Sequence, residues 1–143
     1  MYKYLLMPLL CAALFVGGGM QVQAGTVVAK VDISDQTMRV YQNGKLAYKW
    51  RVSTARKGKV TPRGAWSAKM LSRHHKSSLY NNAPMPHSIF FNGNYAIHGT
   101  NQIKRLGRPA SAGCVRLHPS NAAQLFAMTK KVGLRNMKVV IQN

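Results

Sequence analysis

The chain has 143 residues and a formal charge of +19, with only two acidic side chains, Asp32 and Asp35, and no glutamate. That arithmetic excludes whole mechanisms, since ordinary glycoside hydrolysis needs two placed carboxylates and a His-Glu-x-x-His zinc peptidase needs a glutamate base. Catalysis here has to rest on a nucleophile served by histidine.

A basic excess of this size points to a polyanionic partner, for which nucleic acid is the ordinary candidate. The N-terminal residues change that expectation. Lys3, the apolar run Tyr4 to Val16 and the closing Val22-Gln23-Ala24 read as a cleavable secretion signal over residues 1–24. A membrane-spanning helix is the alternative, but Pro8 and Gly17-Gly18-Gly19 interrupt the run. A lipid anchor on Cys11 is disfavoured because Leu10 stands where a small residue is required. The mature chain, 25–143, then carries +18 after loss of Lys3. It belongs in the periplasm or cell wall, where the anions are peptidoglycan carboxylates, envelope phosphates and anionic lipids rather than nucleic acid. Its 119 residues suit one domain with one core, and a monomer is expected. No linker, internal repeat or low-complexity tract divides it.

In chain order, Thr26 to Ile33 and Thr37 to Tyr41 alternate apolar and polar residues as half-buried strands do, and Gln42-Asn43-Gly44 predicts a hairpin turn into Leu46 to Val52. Asp32 and Asp35 fall where the first strand enters a turn, suited to accepting local backbone hydrogen bonds. Thr61-Pro62-Arg63-Gly64 punctuates the chain before a strand over Ala65 to Met70. Asn81 to Pro86 reads as a loop, and Asn92-Gly93-Asn94 joins Ser88 to Phe91 and Tyr95 to His98 as a second hairpin. One segment has helical spacing: Ser120 is a cap, Ala123, Leu125, Phe126, Met128 and Val132 form the apolar stripe, and Gly133 ends it. Val139 to Ile141 closes the chain as a strand. The expected fold is mostly β, an antiparallel barrel or sandwich with one principal α-helix.

Once the signal is removed, Cys114 is the only cysteine, in a compartment where cysteines ordinarily pair. An unpaired thiol there is either buried core or chemically useful. Its context favours use: Gly113 permits close backbone approach, Ser111 is polar, and Arg116 shares the strand face of Cys114.

The ordered segments His98-Gly99-Thr100 and Leu106-Gly107-Arg108-Pro109-Ala110-Ser111-Ala112-Gly113-Cys114-Val115-Arg116-Leu117 resemble the L,D-transpeptidase catalytic domain, or YkuD family. Val31-Asp32-Ile33 to Gln36, Val40-Tyr41, Asn43-Gly44, Val52-Ser53-Thr54, Thr61-Pro62-Arg63-Gly64 and Met85-Pro86 extend the likeness across nearly all of 25–143. The resemblance implies that Cys114 attacks the carbonyl of the third residue of a peptidoglycan stem peptide and expels the fourth. His98 then takes the thiol proton, and backbone N–H groups near Gly113 and Cys114 hold the oxyanion. Gly99 lets the chain turn behind His98, and its carbonyl is the candidate for orienting the imidazole. Ser111 either fixes the loop or polarises the histidine. Arg116 either binds a substrate carboxylate or is a structural arginine, and Met85 and His87 fall near the substrate groove. The same likeness implies inactivation by carbapenems and indifference to many penicillins. One departure stands out: many members carry histidine directly after the motif's serine, where this chain has Ala112.

The remaining histidines make no ligand set. His74 and His75 face opposite ways on a strand, and His118 precedes Pro119 at the helix entrance, so neither metal nor cofactor is expected. Two rival readings stay open: a non-catalytic basic protein that binds the envelope, and a same-fold hydrolase or exchange enzyme that releases or attaches wall-linked groups.

Overall fold

The first two strands form as their alternation predicts. In the computed structural model, which describes residues 25–143, β1 (Val27–Asp32) and β2 (Thr37–Gln42) pair antiparallel. The expected secretion signal, 1–24, lies outside the described residues. Val27, Ala29, Val31, Met38 and Val40 turn inward and are fully buried. Between the strands the Asp32 carboxylate accepts from the Ser34 N–H at 2.9 Å and the Ser34 hydroxyl at 2.6 Å. Both aspartates are spent on this turn, Asp35 accepting from the Thr37 hydroxyl. Asn43 and Gly44, with φ of 51° and 79°, make the tight turn into β3 (Lys45–Arg51), as Asn-Gly sequences do because both residues tolerate positive φ.

The strand expected over Ala65 to Met70 is instead two strands, β4 (Gly64–Ser67) and β5 (Met70–Lys76), in different sheets. The Ala68 N–H donates to the Met137 carbonyl at 2.9 Å and the Lys69 N–H to the Phe90 carbonyl at 2.8 Å, so the chain changes sheet between adjacent residues. β6 (Pro84–Asn92) starts inside the segment read as a loop. Its first residue lacks an N–H, which a strand tolerates at its start. The hairpin to β7 (Tyr95–Gly99) forms around Gly93.

The sheets are mixed rather than purely antiparallel. β9 (Met137–Gln142) runs parallel to β1, and β8 (Val115–Leu117) runs parallel to β7. The orders are β3-β2-β1-β9-β4 and β5-β6-β7-β8, two open sheets in a sandwich-like arrangement, not closed into a barrel. The core joins the inner faces: Val31, Val139 and Ile141 from one, Ile89, Phe91, Ile97 and Leu117 from the other. Each such side chain contributes roughly 1.5–3 kcal/mol when fully buried. Helix α1 (Pro119–Val132) buries Ala122, Leu125 and Thr129 against this core, with Phe126, Met128 and Val132 partly covered. Its N-cap is His118, not Ser120: the imidazole accepts from the Ser120 N–H at 3.2 Å, and Pro119 at the first helical position sets the start two residues earlier.

Candidate active site

Strand register brings His98 and Cys114 to one surface. β7 and β8 pair Ile97 with Val115 and His98 with Arg116. Ile97, Val115 and Leu117 point into the core, so His98 and Arg116 take the opposite face, and Cys114, two residues before Arg116, joins them. The floor behind them is a small apolar cluster of Met85, Phe90 and Ala96, against which Cys114 packs. Above it opens a cleft of about 440 Å³ lined by His98, Cys114, Arg116, Met85, Tyr95 and Tyr80, among others.

His98 is only 5% exposed, and its Nδ1 lies 2.7 Å from the Gly99 carbonyl oxygen. A carbonyl can only accept, so Nδ1 carries the proton and Nε2 presents a lone pair. Burial lowers the His98 pKa to about 4. The Gly99 hydrogen bond opposes that shift, and the charges of Arg116 and His75 reinforce it. Burial pushes the Cys114 thiol above its ordinary value, partly offset by a backbone hydrogen bond from Ala96 and by Arg116. Imidazole and thiol are therefore both neutral near pH 7, not a preformed ion pair. The sulfur sits 3.8 Å from the Asn94 carbonyl.

The loop before Cys114 is held from within and from outside. Ser111 is fully buried; its hydroxyl donates to the Cys114 carbonyl at 2.6 Å and accepts from the Gly113 N–H at 3.0 Å. Of the two expected loop functions for Ser111, the geometry is that of fixing the loop, and the Gly113 N–H is already engaged. Gly113 has φ of 143°, and a Cβ there would lie 2.7 Å from Tyr95 and 2.9 Å from the Val60 carbonyl. Gly99 is close-packed to a lesser degree, with Pro119 and Pro86 atoms 3.2 Å from where its Cβ would stand.

Residues that the sequence reading did not assign to the site complete the support. Thr61 links the Ala55 N–H to the Gly113 carbonyl. The Ala110 and Ser111 N–H groups both donate to the Thr54 carbonyl. Buried Gln36 holds Thr54 in turn, accepting from its N–H at 2.9 Å and donating to its hydroxyl at 2.6 Å. Thr61, Thr54 and Gln36 each fall in a segment of the family likeness, but nothing in the sequence signals that they support the loop before Cys114, since the bonds join residues far apart in the chain.

Arg116 is half-buried in the cleft and donates to the Gln102 side-chain oxygen at 3.1 Å. Burial first, then the nearby Arg56 and Arg105, lower its pKa, and no carboxylate lines the cleft with it. Met85 and Ala112 line the cleft. His87, expected near the groove, is not brought to it. Its ring meets Phe126 of α1 edge-on at a centroid distance of 5.3 Å, on the helix side of β6.

The fold and this site define a class. The L,D-transpeptidase catalytic domain (YkuD) model matches residues 26–141, and the chain belongs to that family. A Bacillus licheniformis relative named for the YkuD L,D-transpeptidases is 26% identical over 105 residues, covering 68% of this chain and 57% of its own length. The L,D-transpeptidase of Stackebrandtia nassauensis superimposes with a TM-score of 0.71 at 26% identity, over 82% of this chain and 56% of that one. An L,D-transpeptidase from Mycobacterium smegmatis gives 0.73 at 21% identity over 83% and 59%, a likeness of fold alone. The chain thus spans little more than half the length of these relatives.

Proposed function

We propose that the protein is an exported L,D-transpeptidase that uses Cys114 as nucleophile and His98 as general base on peptidoglycan stem peptides. One observation carries this reading: Cys114 and His98 share one face of paired strands in an open cleft, with Nδ1 of His98 committed to Gly99 and Nε2 unprotonated. His98 takes the thiol proton as the sulfur attacks the carbonyl carbon of the stem's third residue. With the Gly113 N–H engaged by Ser111, the Cys114 N–H is left as the oxyanion donor. The C–N bond breaks, the amine leaves with the proton from His98, and a thioester remains on Cys114. An acceptor amine then attacks, returns its proton through His98, and releases the thiol. A stem amine gives a cross-link, a D-amino acid gives exchange, a protein amine gives attachment, and water gives hydrolysis.

Because thiol and imidazole are both neutral at rest, proton transfer accompanies attack instead of preceding it. Arg116, short of a carboxylate partner, binds one from the stem peptide. Ala112 leaves His98 as the only histidine of the site.

The test is intact-protein mass after incubation of the chain with a purified disaccharide-tetrapeptide, beside Cys114→Ala and His98→Ala. The expected result is a Cys114-dependent acyl adduct or loss of the fourth stem residue. A folded chain that forms no adduct and no product but still holds the wall would favour the rival, a non-catalytic envelope-binding protein.

A further inference from the structure

We propose that the rim of the cleft docks on an anionic lipid bilayer, a binding function separate from the chemistry assigned to the cleft floor. Three loops border the cleft, 55–63, 77–83 and 101–108. Arg56 and Tyr80 line it, the Val60 carbonyl packs against Gly113, and Gln102, which bonds Arg116, precedes Ile103. Every one of these loops raises an apolar side chain into water: Val60 and Leu79 are each 64% exposed, Tyr80 48% and Ile103 47%. They are four of the seven large exposed hydrophobic residues among those described, so exposed apolar surface is gathered at this rim and not scattered.

Cations alternate with these tips. Arg56, Lys57, Lys59, Lys76, Lys104 and Arg105 are all exposed, and no acidic residue falls in any of the three loops. A hydrophilic anionic polymer would engage the cations but gain nothing from Val60, Leu79 or Ile103. Aliphatic and tyrosine tips set among Lys and Arg match a bilayer interface, where apolar tips enter the headgroup boundary and cations reach the phosphates. Docking there turns the cleft mouth toward the lipid surface and favours substrates still tethered to it.

The opposite face of the molecule provides a charge-matched control. Lys49, Arg39 and Lys30 stand in register on β3, β2 and β1, pointing away from the core. Co-sedimentation is measured with vesicles of phosphatidylcholine and of phosphatidylcholine with phosphatidylglycerol. It uses the full chain and residues 25–143, which hold every described strand, the helix and both buried clusters. Both should partition onto the phosphatidylglycerol vesicles and leave them as salt rises. Val60→Ser with Ile103→Ser should lower partitioning about tenfold, as should Lys57→Gln with Lys104→Gln. Lys30→Gln with Lys49→Gln should leave it within about twofold. All four positions of the rim pairs are exposed, and circular dichroism verifies the fold of each variant.

The proposal is overturned if 25–143 shows no preference for the anionic vesicles. Equal loss in the sheet-face pair, or indifference to the apolar pair, also overturns it, the latter leaving a charge-only contact of the kind an anionic polymer makes. Cys114→Ala should bind vesicles unchanged, so failure of the bilayer surface and failure of the enzymatic reading are separately visible.

Discussion

The Thr61 hydroxyl donates to the Gly113 carbonyl at 2.8 Å while accepting from the Ala55 N–H at 2.9 Å, so one buried side chain ties the segment after β3 to the residue before Cys114. Replacing the hydroxyl by a methyl leaves both backbone groups buried without a partner. Thr61→Val should therefore destabilise the protein by about 1–3 kcal/mol in urea unfolding and slow acyl-adduct formation, whereas Thr61→Ser should retain most of both.

Gly113→Ala should be worse tolerated than its one methyl group suggests. The φ of 143° strains any L side chain, and the new Cβ meets the Val60 carbonyl, a backbone atom that cannot swing aside. A loss of about 2 kcal/mol or more in thermal or urea unfolding is expected. Tyr95→Ala in the same chain relieves the ring contact alone and should rescue only part of it. Full rescue would mean that the backbone conformation is not the constraint.

Acid should destabilise the protein through histidine. The folded His98 pKa of about 4 lies below its ordinary 6.5, so between those values the unfolded chain binds more protons than the folded one. Stability from this group is complete above the upper value and is lost as pH falls toward the lower, by about 3 kcal/mol. His87, also pulled down by burial, adds with the same sign. Asp32 titrates in a separate window, below its ordinary 3.8. Urea midpoints between neutral pH and about pH 4 should slope steeply in the parent and much less in His98→Gln. Parallel slopes would assign the acid sensitivity elsewhere.

Alkylation of Cys114 by iodoacetamide should accelerate with pH to beyond 9.0, without a plateau near neutrality, because burial holds the thiol protonated. A plateau between pH 6 and 7 would instead reveal a thiolate–imidazolium pair in the free enzyme.

The residues that declared themselves in the sequence are those whose constraint is local. Asn43-Gly44 announces its hairpin because the turn itself demands positive φ, and Gly133 marks the helix end for the same reason. The β1–β9 and β7–β8 parallel pairings leave no such mark, since each joins segments far apart in sequence, and so the sheets read as antiparallel. The break at Ala68-Lys69 is hidden because no Gly, Pro, Asn or Asp stands between Trp66 and Leu71 to mark it. At the site, Cys114, His98, Gly113 and Arg116 fall within recognisable motifs and gather in one cleft. His87 was misplaced because the strand period puts it on the face of Met85, whereas its φ of 53° breaks the extended backbone of β6 there and its ring meets Phe126. Gln36 and Thr54 fall within segments of the family likeness, but their pairing was not legible, because nothing in the sequence says that two polar residues eighteen positions apart hydrogen-bond to each other.

The Gln36–Thr54–Ser111 relay has a consequence for the order of assembly. The nucleophile loop takes its shape from hydrogen bonds that reach back from residue 111 to 54 and from 54 to 36, and from residue 113 to 61. The bonds that hold residues 111 and 113 cannot close before the chain has been made past residue 113 and has docked on the 54–61 segment, and contacts of such long range form late. The reactive geometry is thus among the last features to appear, and a partly folded chain lacks the arrangement that directs the thiol onto a substrate carbonyl. Thiol reactivity toward substrate becomes a measure of completed folding, in a protein whose cysteine would otherwise be open to stray chemistry throughout its maturation.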